Sequence, residues 1–304
     1  MVRVTLSCPD CARWPAPSSN DDAVRTNCIT VAADRPLLPF PAVTARLIQF
    51  TDPHLYGDAA ASLRGVATLP ALKRALAHAR ARHWDAAALL VTGDLVQDAP
   101  GGYLNFHRLF AGLGKPVHCI PGNHDLVDEM HAALAQAPFV LGGHFDLGAW
   151  RVVLLDSATP GTASGERAPT ELARLDHALG TAGARHALVC LHHHPVDMGS
   201  RWLDQVGRVN RDDFLAVIDH HSNVRGVRWG HVHQELDTLR HGVRLLATPA
   251  TCTQFLPGSA DFAVAARPPA SRVVGSGGAS TVASAPSVSC CGRASAWSSS
   301  TSSC

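Results

Sequence analysis

Acidic and histidine residues recur in short groups along the middle of this 304-residue chain, each directly after an apolar run. In chain order the groups are Asp52-Pro53-His54, Gly93-Asp94, Gly122-Asn123-His124-Asp125, His192-His193-His194 and Gly230-His231-Val232-His233. Carboxylate, amide and imidazole groups together suit Mn²⁺, Fe²⁺ or Zn²⁺, whereas an all-oxygen set would favour Mg²⁺ or Ca²⁺. One such group alone is common in surface loops, but five in succession indicate a metal centre.

The residue types further indicate a pair of cations. Two-metal sites hold their ions roughly 3.5–4 Å apart, so one carboxylate has to bridge them. Asp94 is the natural candidate, because it is a short acid at a strand end and follows Gly93, which lets another backbone pass closely. Residues two apart share a face of an extended chain, so Asp52 with His54, and His231 with His233, can each turn both ligands the same way. Asp98 is interpreted as a loop residue or as a partner of a ligand.

The segments between these groups predict alternating strands and helices. The run "TLPALKRALAHARARH" (68–83) has the three-and-four apolar spacing of an amphipathic helix, and "AAALLVTGD" predicts a strand buried on both faces. Alternation of this kind predicts an α/β sandwich in which the loops after the C-terminal strand ends form the site. Further strands are predicted within 43–52, 116–120, 150–157, 186–191, 224–230 and 243–249, and further helices within 103–113, 126–137, 170–182 and 212–220.

Composition divides the chain into three parts. Residues 1–42 mix Pro, Ser, Asn and charge without periodicity and predict a flexible extension. Residues 43–266 carry all the periodic segments and predict one catalytic domain. Residues 267–304 contain twelve serines and no Leu, Ile, Asp or Glu, so they predict a Ser-rich tail that is disordered or read in a non-native frame.

Charge and hydropathy exclude several classes of protein. The formal charge of +1 and pI near 7.7 give no broad basic field for a nucleic acid polymer. No apolar stretch approaches the ~20 residues of a membrane helix, and the N-terminus has no signal-peptide core, so a cytoplasmic protein is expected. Cys8 and Cys11 form an isolated C-x-x-C, which is interpreted as incidental, and Cys252 as a small buried thiol rather than a nucleophile.

The ordered set of motifs resembles the calcineurin-like metallophosphoesterases. Their pattern D-x-H, G-D, G-N-H-D, H-H and G-H-x-H occurs in full and in order between Ala45 and about Asp261. Three longer stretches, "HHHPVDMGSRWLD", "GHVHQELD" and "LLATPATCTQF", resemble the class III bacterial 3′,5′-cyclic-AMP phosphodiesterases. The resemblance implies a four-layer α/β/β/α sandwich with the metal site at the C-terminal strand ends.

The resemblance also implies roles for individual residues. Two divalent ions, Fe²⁺ and/or Mn²⁺ or else Zn²⁺, would be bound, and Asp94 would bridge them. The implied ligands of one ion are Asp52, His54, Asp94 and His233, and those of the other are Asp94, Asn123, His192 and His231. His192 is chosen over His193 because the family's ligand is the first His after the strand.

Substrate contacts are implied for Asn123, His124, His193 and His233. His124 would stabilise the transferring phosphoryl group or protonate the leaving oxygen, and Asp125 would orient its ring. His193 and His194 would face the pocket or touch a ligand. Trp202 and Asn210 have two equal interpretations, a base-binding pocket or ordinary packing and capping.

The implied reaction is hydrolysis of 3′,5′-cyclic AMP to 5′-AMP by a hydroxide that bridges the metals. The alternatives are another metallophosphoesterase, acting on 2′,3′-cyclic nucleotides or phosphodiesters in general, and a catalytically silent scaffold. A protein phosphatase is disfavoured, because the resemblance of such enzymes lies in a "GDxVDRG" motif, and "GDLVQDA" in this chain lacks its Arg. A nuclease is disfavoured by the neutral charge balance. A cyclic nucleotide is thus the expected partner, and the resemblance also implies a homodimer.

Overall fold

The computed structural model describes residues 46–159, 161–165, 168–207, 210–275 and 280–284. Two six-stranded sheets form its centre. The first sheet contains β1 (Arg46–Phe50), β4 (Ala88–Thr92), β5 (Val117–Ile120), β6 (Phe139–Leu141), β15 (Ala270–Gly275) and β16 (Ser280–Ser284). The second contains β7 (Gly143–Leu147), β8 (Trp150–Leu154), β9 (His186–Cys190), β10 (Val224–Trp229), β11 (Leu236–Arg240) and β12 (Val243–Ala247).

Helices and two short hairpins complete the described part. The helices are α1 (Thr68–His83), α2 (Gly102–Phe110), α3 (Val127–Ala133), α4 (Pro169–Gly180), α5 (Arg201–Asp204) and α6 (Arg211–His220). The hairpins pair β2 (Ser62–Leu63) with β3 (Val66–Ala67), and β13 (Gln254–Phe255) with β14 (Val264–Ala265). No helix within these ranges combines the length and apolar character needed to cross a lipid bilayer.

Strand direction brings the predicted site loops to one edge of each sheet. In the first sheet, ordered β16-β15-β1-β4-β5-β6, the strands β1, β4, β5 and β6 are parallel. In the second, ordered β11-β12-β10-β9-β8-β7, the strands β8, β9, β10 and β12 are parallel. Parallel strands end at the same edge, so the loops after them lie side by side.

Three apolar layers hold the sheets and helices together. Residues of β4 show why its apolar run is continuous: Leu89 and Val91 pack beneath α1 and α2, whereas Leu90 faces the second sheet. A separate core lies between the second sheet and helices α4 to α6. The order helices, sheet, sheet, helices is the four-layer α/β/β/α sandwich that the family resemblance implies. The predicted helix at 68–83 and the predicted strand at residues 86–94 are both present.

The structure differs from the predicted boundary at residue 266. Strands β15 and β16 extend the first sheet, with Ile48 of β1 opposite Val273 and Val273 opposite Thr281. Composition was misleading here because these two strands need apolar residues only where they face the core, and Val273 and Ala283 supply this. The predicted extension 1–42 and residues 285–304 of the predicted tail lie outside the described residues.

Candidate metal centre

The loops that follow five parallel strands carry all the predicted metal ligands. The first sheet contributes Asp52 and His54 after β1, Asp94 after β4 and Asn123 after β5. The second sheet contributes His192 after β9, and His231 and His233 after β10. Six of the seven side chains are buried, and Asn123 is half-buried. The centre therefore depends on the two sheets lying against each other.

Five of these residues have left-handed backbone conformations, which direct their side chains into the centre. The φ angles are 51° at Asp52, 46° at His54, 52° at Asp94, 65° at His231 and 47° at His233. Asp, Asn and His adopt this region more readily than most residues, but it still carries strain outside glycine. The sequence predicted that the two D-x-H and H-x-H pairs would share a face through extended backbone. The structure brings both members of each pair inward by this left-handed geometry instead.

Two glycines leave the room in which the ligands approach. A Cβ atom on Gly93 would collide with the His192 ring, and one on Gly122 would collide with the Asp94 carboxylate. Gly93 also has a φ of 95°, which L side chains rarely adopt. The residue type at both positions follows from close packing of ligands from different loops.

Asp94 lies between imidazoles of the two sheets. Its Oδ2 is 3.3 Å from His192 Nε2 and 3.5 Å from His54 Nε2. Its Oδ1 accepts a 2.9 Å hydrogen bond from the backbone N–H of His124. A carboxylate oxygen that faces nitrogens from both sheets has the placement a bridging ligand requires.

Asp52 and His233 form the other close cross-sheet pair. Asp52 Oδ1 lies 3.3 Å from His233 Nε2, which is 3.1 Å from His54 Nε2. The backbone N–H of His231 lies 3.0 Å and 3.1 Å from the two Asp52 oxygens. Asp52 therefore holds the H-x-H loop of the second sheet as well as facing the shared space.

The remaining predicted ligands lie on the other side of Asp94. Asn123 Oδ1 is 3.3 Å from His192 Nε2. His231 lies with His192 and His193 in a group whose nitrogens are within 4.8 Å of one another, and its Nε2 is 3.1 Å from the Val206 carbonyl. The structure thus brings His192, rather than His193, against Asp94.

Backbone carbonyls orient two of the imidazoles. His192 Nδ1 lies 2.8 Å from the Thr92 carbonyl, and His233 Nδ1 lies 2.8 Å from the Thr253 carbonyl. A carbonyl accepts only, so in both rings Nδ1 carries the proton that it donates. Ligating histidines commonly use this arrangement, which leaves Nε2 directed at a metal.

The electrostatics of the centre favour positive charge. Burial opposes ionisation of Asp94, but the His192 and His54 imidazoles outweigh it and hold the Asp94 pKa well below its usual range. Burial alone would lower the pKa of His192, yet Asp94 raises it to about 9. Burial lowers the pKa of His54 to about 4. Two buried carboxylates among imidazole and amide donors fit a pair of divalent cations, which would supply the positive charge that the carboxylates attract.

His124 lies at the open side of the centre, and its partner differs from the predicted one. His124 Nδ1 lies 2.9 Å from Asp98 Oδ2 and 2.8 Å from Gln97 Nε2. Asp125 faces inward instead, where its carboxylate accepts from the backbone N–H groups of Leu95 and Gly122 and from the Tyr103 hydroxyl. Burial and the nearby Asp94 charge raise the pKa of Asp125 to about 7. Asp98 orients the ring, and Asp125 holds the loop backbone together.

Two further predictions meet different outcomes. His193, predicted to contact substrate, is fully buried behind the cavity, with Nδ1 2.9 Å from the Ser157 hydroxyl oxygen. Trp202 lines a cavity of about 280 Å³ over the centre, whereas Asn210 directly precedes α6. Sequence reasoning missed Phe255 and Phe262, which line the same cavity, although Phe255 ends the stretch "LLATPATCTQF"; no motif contains Phe262.

Cys252 is a buried thiol whose Sγ, with nitrogens of His54 and His233, falls within a 4.8 Å group. Burial raises the pKa of this thiol, so a thiolate nucleophile is not favoured. The interpretation of Cys252 as a small buried thiol agrees with this environment.

Comparison with known proteins identifies relatives over most of the chain. Residues 45–247 match the family described as calcineurin-like phosphoesterase. The chain is 38% identical over 225 residues to the 3′,5′-cyclic adenosine monophosphate phosphodiesterase of Pseudomonas aeruginosa, covering 74% of this chain and 82% of the relative. It is 36% identical to the enzyme of the same description from Escherichia coli strain K12, covering 71% of this chain and 80% of the relative.

Solved structures share the fold at much lower identity. A dimetal phosphatase from Danio rerio superposes with a TM-score of 0.58 at 13% identity, covering 82% of this chain and all of that one. The protein TT1561 of Thermus thermophilus superposes with a TM-score of 0.52 at 14% identity, covering 80% of this chain and all of that one. These similarities support the architecture alone.

Proposed function

Because this chain belongs to the calcineurin-like phosphoesterase family, we propose that it is a metal-dependent phosphodiesterase that hydrolyses 3′,5′-cyclic AMP to 5′-AMP. The observation that carries the proposal is the position of Asp94, whose carboxylate faces His54 of one sheet and His192 of the other beneath an open cavity. The relatives described as cyclic-AMP phosphodiesterases support the choice of substrate.

In this proposal seven side chains hold two divalent ions, of which Fe²⁺, Mn²⁺ and Zn²⁺ suit the mixed oxygen and nitrogen donors. The seven are Asp52, His54, Asp94, Asn123, His192, His231 and His233. When bound, the ions activate the attacking water and neutralise the charge that develops on the phosphoryl oxygens.

The chain itself supplies a proton donor on the side of the leaving group. Water adds across the P–O3′ bond, so its oxygen ends on phosphorus and a proton ends on O3′. His124 lines the cavity, and its Nδ1 faces Asp98, which leaves Nε2 as the ring nitrogen available to the substrate. In this proposal His124, whose ring contacts Asp98, delivers the proton to O3′.

The charges around His124 favour a diester over a monoester. The Asp98 carboxylate lies beside this ring. In "GDLVQDA", Asp98 occupies the position that Arg has in the "GDxVDRG" motif of protein phosphatases. A phosphodiester carries one negative charge and a phosphate monoester about two near neutral pH. The extra charge is repelled by Asp98, which supports a phosphodiesterase over a protein phosphatase.

The test is an assay of purified protein with Mn²⁺ against cyclic AMP, a 2′,3′-cyclic nucleotide and a phosphoprotein, with and without chelator. We expect hydrolysis of cyclic AMP that chelator abolishes and added Mn²⁺ restores. Preference for the phosphoprotein or the 2′,3′-cyclic nucleotide, activity that survives chelation, or no activity would each overturn the proposal, the last in favour of a silent scaffold.

A further inference from the structure

The lining of the cavity over the metal centre includes two chemically different sets of residues. The polar set contains the candidate catalytic groups His54, Asp94, Asn123, His124, His231 and His233. The apolar set contains Leu63, Trp202, Leu203, Val206, Phe255 and Phe262. A volume of about 280 Å³ suits one small ligand. A ligand with a phosphate at one end and an aromatic group at the other would match this division.

Three aromatic rings form one wall within the apolar set. Phe255 stacks on His233 of the metal centre, with ring centroids 4.0 Å apart and planes 5° apart. Trp202 lies edge-to-face against Phe255 and Phe262, with centroids 5.2 Å and 5.1 Å away. These contacts place the wall, defined here as Trp202, Phe255 and Phe262, directly beside the metal ligands.

A cation lies at the mouth of this aromatic wall. Arg64, on the turn between β2 and β3, holds its guanidinium Cζ 4.8 Å from the centroid of the Phe262 ring. Arg64 is exposed, and Phe262 is 43% exposed, so neither is required to fill the core. Arginine stacks on aromatic planes, including those of nucleobases.

The neighbouring cavity offers no comparable surface. It shares Asn123 and His124 with the first cavity, but five acids line it: Asp98, Asp125, Asp128, Glu129 and Asp156. A monoanionic cyclic nucleotide is repelled by these carboxylates, whereas the aromatic wall and Arg64 attract a flat π system. The base therefore has one favourable direction in which to extend from the phosphate.

We propose that Trp202, Phe255 and Phe262 bind the purine base of the nucleotide and that Arg64 closes over it. This inference rests on the proposed function, since it assigns the part of the substrate that does not react. Stacking tolerates any base, because every base has a π face. The aromatic wall should therefore separate nucleotides from phosphoesters without a base, while adenine and guanine nucleotides bind within a few fold of each other.

Binding is the first test, because it does not depend on turnover. Isothermal titration of the Mn²⁺-loaded protein with 5′-AMP and with ribose 5-phosphate compares ligands that share sugar and phosphate and differ in the base. We expect 5′-AMP to bind at least about tenfold tighter, and Phe262→Ala to remove most of this difference. Equal affinity of the wild type for both ligands, or an unchanged ratio in Phe262→Ala, would overturn the inference.

Kinetics is the second test and uses a matched control. Phe262→Ala should raise KM for cyclic AMP about tenfold with little change in kcat, and Arg64→Ala should raise it about threefold. Leu239→Ala, which removes an apolar side chain 64% exposed on β11, should change neither constant. A wild type that hydrolyses cyclic AMP beside variants with unchanged KM would sink the inference alone. A wild type inactive towards cyclic AMP would sink the proposed function.

Discussion

The two sheets meet in two contrasting ways. Between them lies an apolar layer of buried residues: Leu47, Ala88, Leu90, Ile120, Val152, Leu154, Leu188 and Cys190. At the edge where the parallel strands end, the same sheets meet through buried carboxylates and imidazoles, among which Asp94 and His192 lie 3.3 Å apart. Burying charged groups costs free energy that must be offset by close partners, whereas burying apolar surface lowers the free energy of the fold.

This contrast separates the stability of the fold from its chemistry. The apolar layer holds the sheets at a constant spacing, so the edge is positioned without needing favourable interactions of its own. Proteins place reactive groups on rigid elements in this way, because ligand atoms have to remain close to a productive geometry. Four tests, taken from the largest expected effect to the smallest, examine whether the two regions are independent.

Removal of Asp94 should have the largest effect, and only on the chemical edge. Asp94→Ala deletes the carboxylate that faces both halves of the centre, so we expect loss of both ions and at least a ~10³-fold fall in kcat/KM. Metal content by elemental analysis and turnover of cyclic AMP measure these changes. The exposed carboxylate variant Asp213→Ala on α6 is the control. Normal turnover by Asp94→Ala would refute the assignment of the centre.

Removal of Leu90 should weaken the apolar layer and leave the chemistry intact. Leu90 is fully buried between the sheets, and Leu→Ala at such a position destabilises a protein by about 2–5 kcal/mol. Chemical denaturation measures the free energy of unfolding, and turnover is measured well below the transition. We expect kcat within about threefold of wild type. A large fall in kcat in the folded variant would show that the two regions are coupled.

The pH dependence of the unfolding free energy tests the burial of His118 between the sheets. This residue of β5 is 6% exposed, and its ring stacks on Phe145 of the second sheet with centroids 3.7 Å apart. Burial lowers the pKa of His118 from 6.5 to about 4. The unfolded chain therefore binds a proton between pH 6.5 and 4 that the native state does not, and stability falls as the pH falls through this window.

The variant His118→Phe keeps the stacked ring and removes this proton. Between pH 7 and pH 4 we expect it to lose less unfolding free energy than the wild type, by on the order of 3 kcal/mol. Denaturation of both proteins in chelator excludes a contribution from metal release. Parallel pH dependence of the two proteins would contradict a buried, neutral His118.

The smallest effects are expected from substitutions at Asp98 and Asp125, which should differ in whether they change turnover or stability. Asp98→Asn should lower kcat about tenfold, because Asp98 contacts the His124 ring, while the melting temperature stays unchanged. Asp125→Asn should lower the stability by about 1–3 kcal/mol, because Asp125 accepts several buried hydrogen bonds. The reverse pattern would support the original prediction that Asp125 orients His124.

Much of the fold could be predicted from periodicity alone. The helix at 68–83 follows from its three-and-four apolar spacing, and the strand that contains Leu89 and Leu90 follows from a short continuous apolar run. The edge strands β6, β7, β11 and β16, and β15 beside β16, were not predicted, because their apolar patterns are weak. Pairing with β1 at Ile48 and Val273 explains why a Ser-rich segment adopts β15.

The candidate site likewise has features that the sequence predicted and features that it did not. Residue types and strand-end positions sufficed to select Asp52, Asp94 and His233 as candidates, since the ends of parallel strands converge wherever such sheets form. The partner of His124, by contrast, depends on how the loop after β4 folds back. Asp98 rather than Asp125 reaches the ring because Asp125 turns inward to the backbone N–H groups of Leu95 and Gly122.

The sequence by itself determined which chemical groups are available and at which strand ends they occur, because residue type and hydrophobic period are local properties. Only the tertiary structure decided which of them share a space. The left-handed backbone of Asp52 and His231, the burial of His193 behind the cavity and the stacking of Phe255 on His233 all depend on contacts between distant segments. Such contacts exist only once the two sheets have packed against each other.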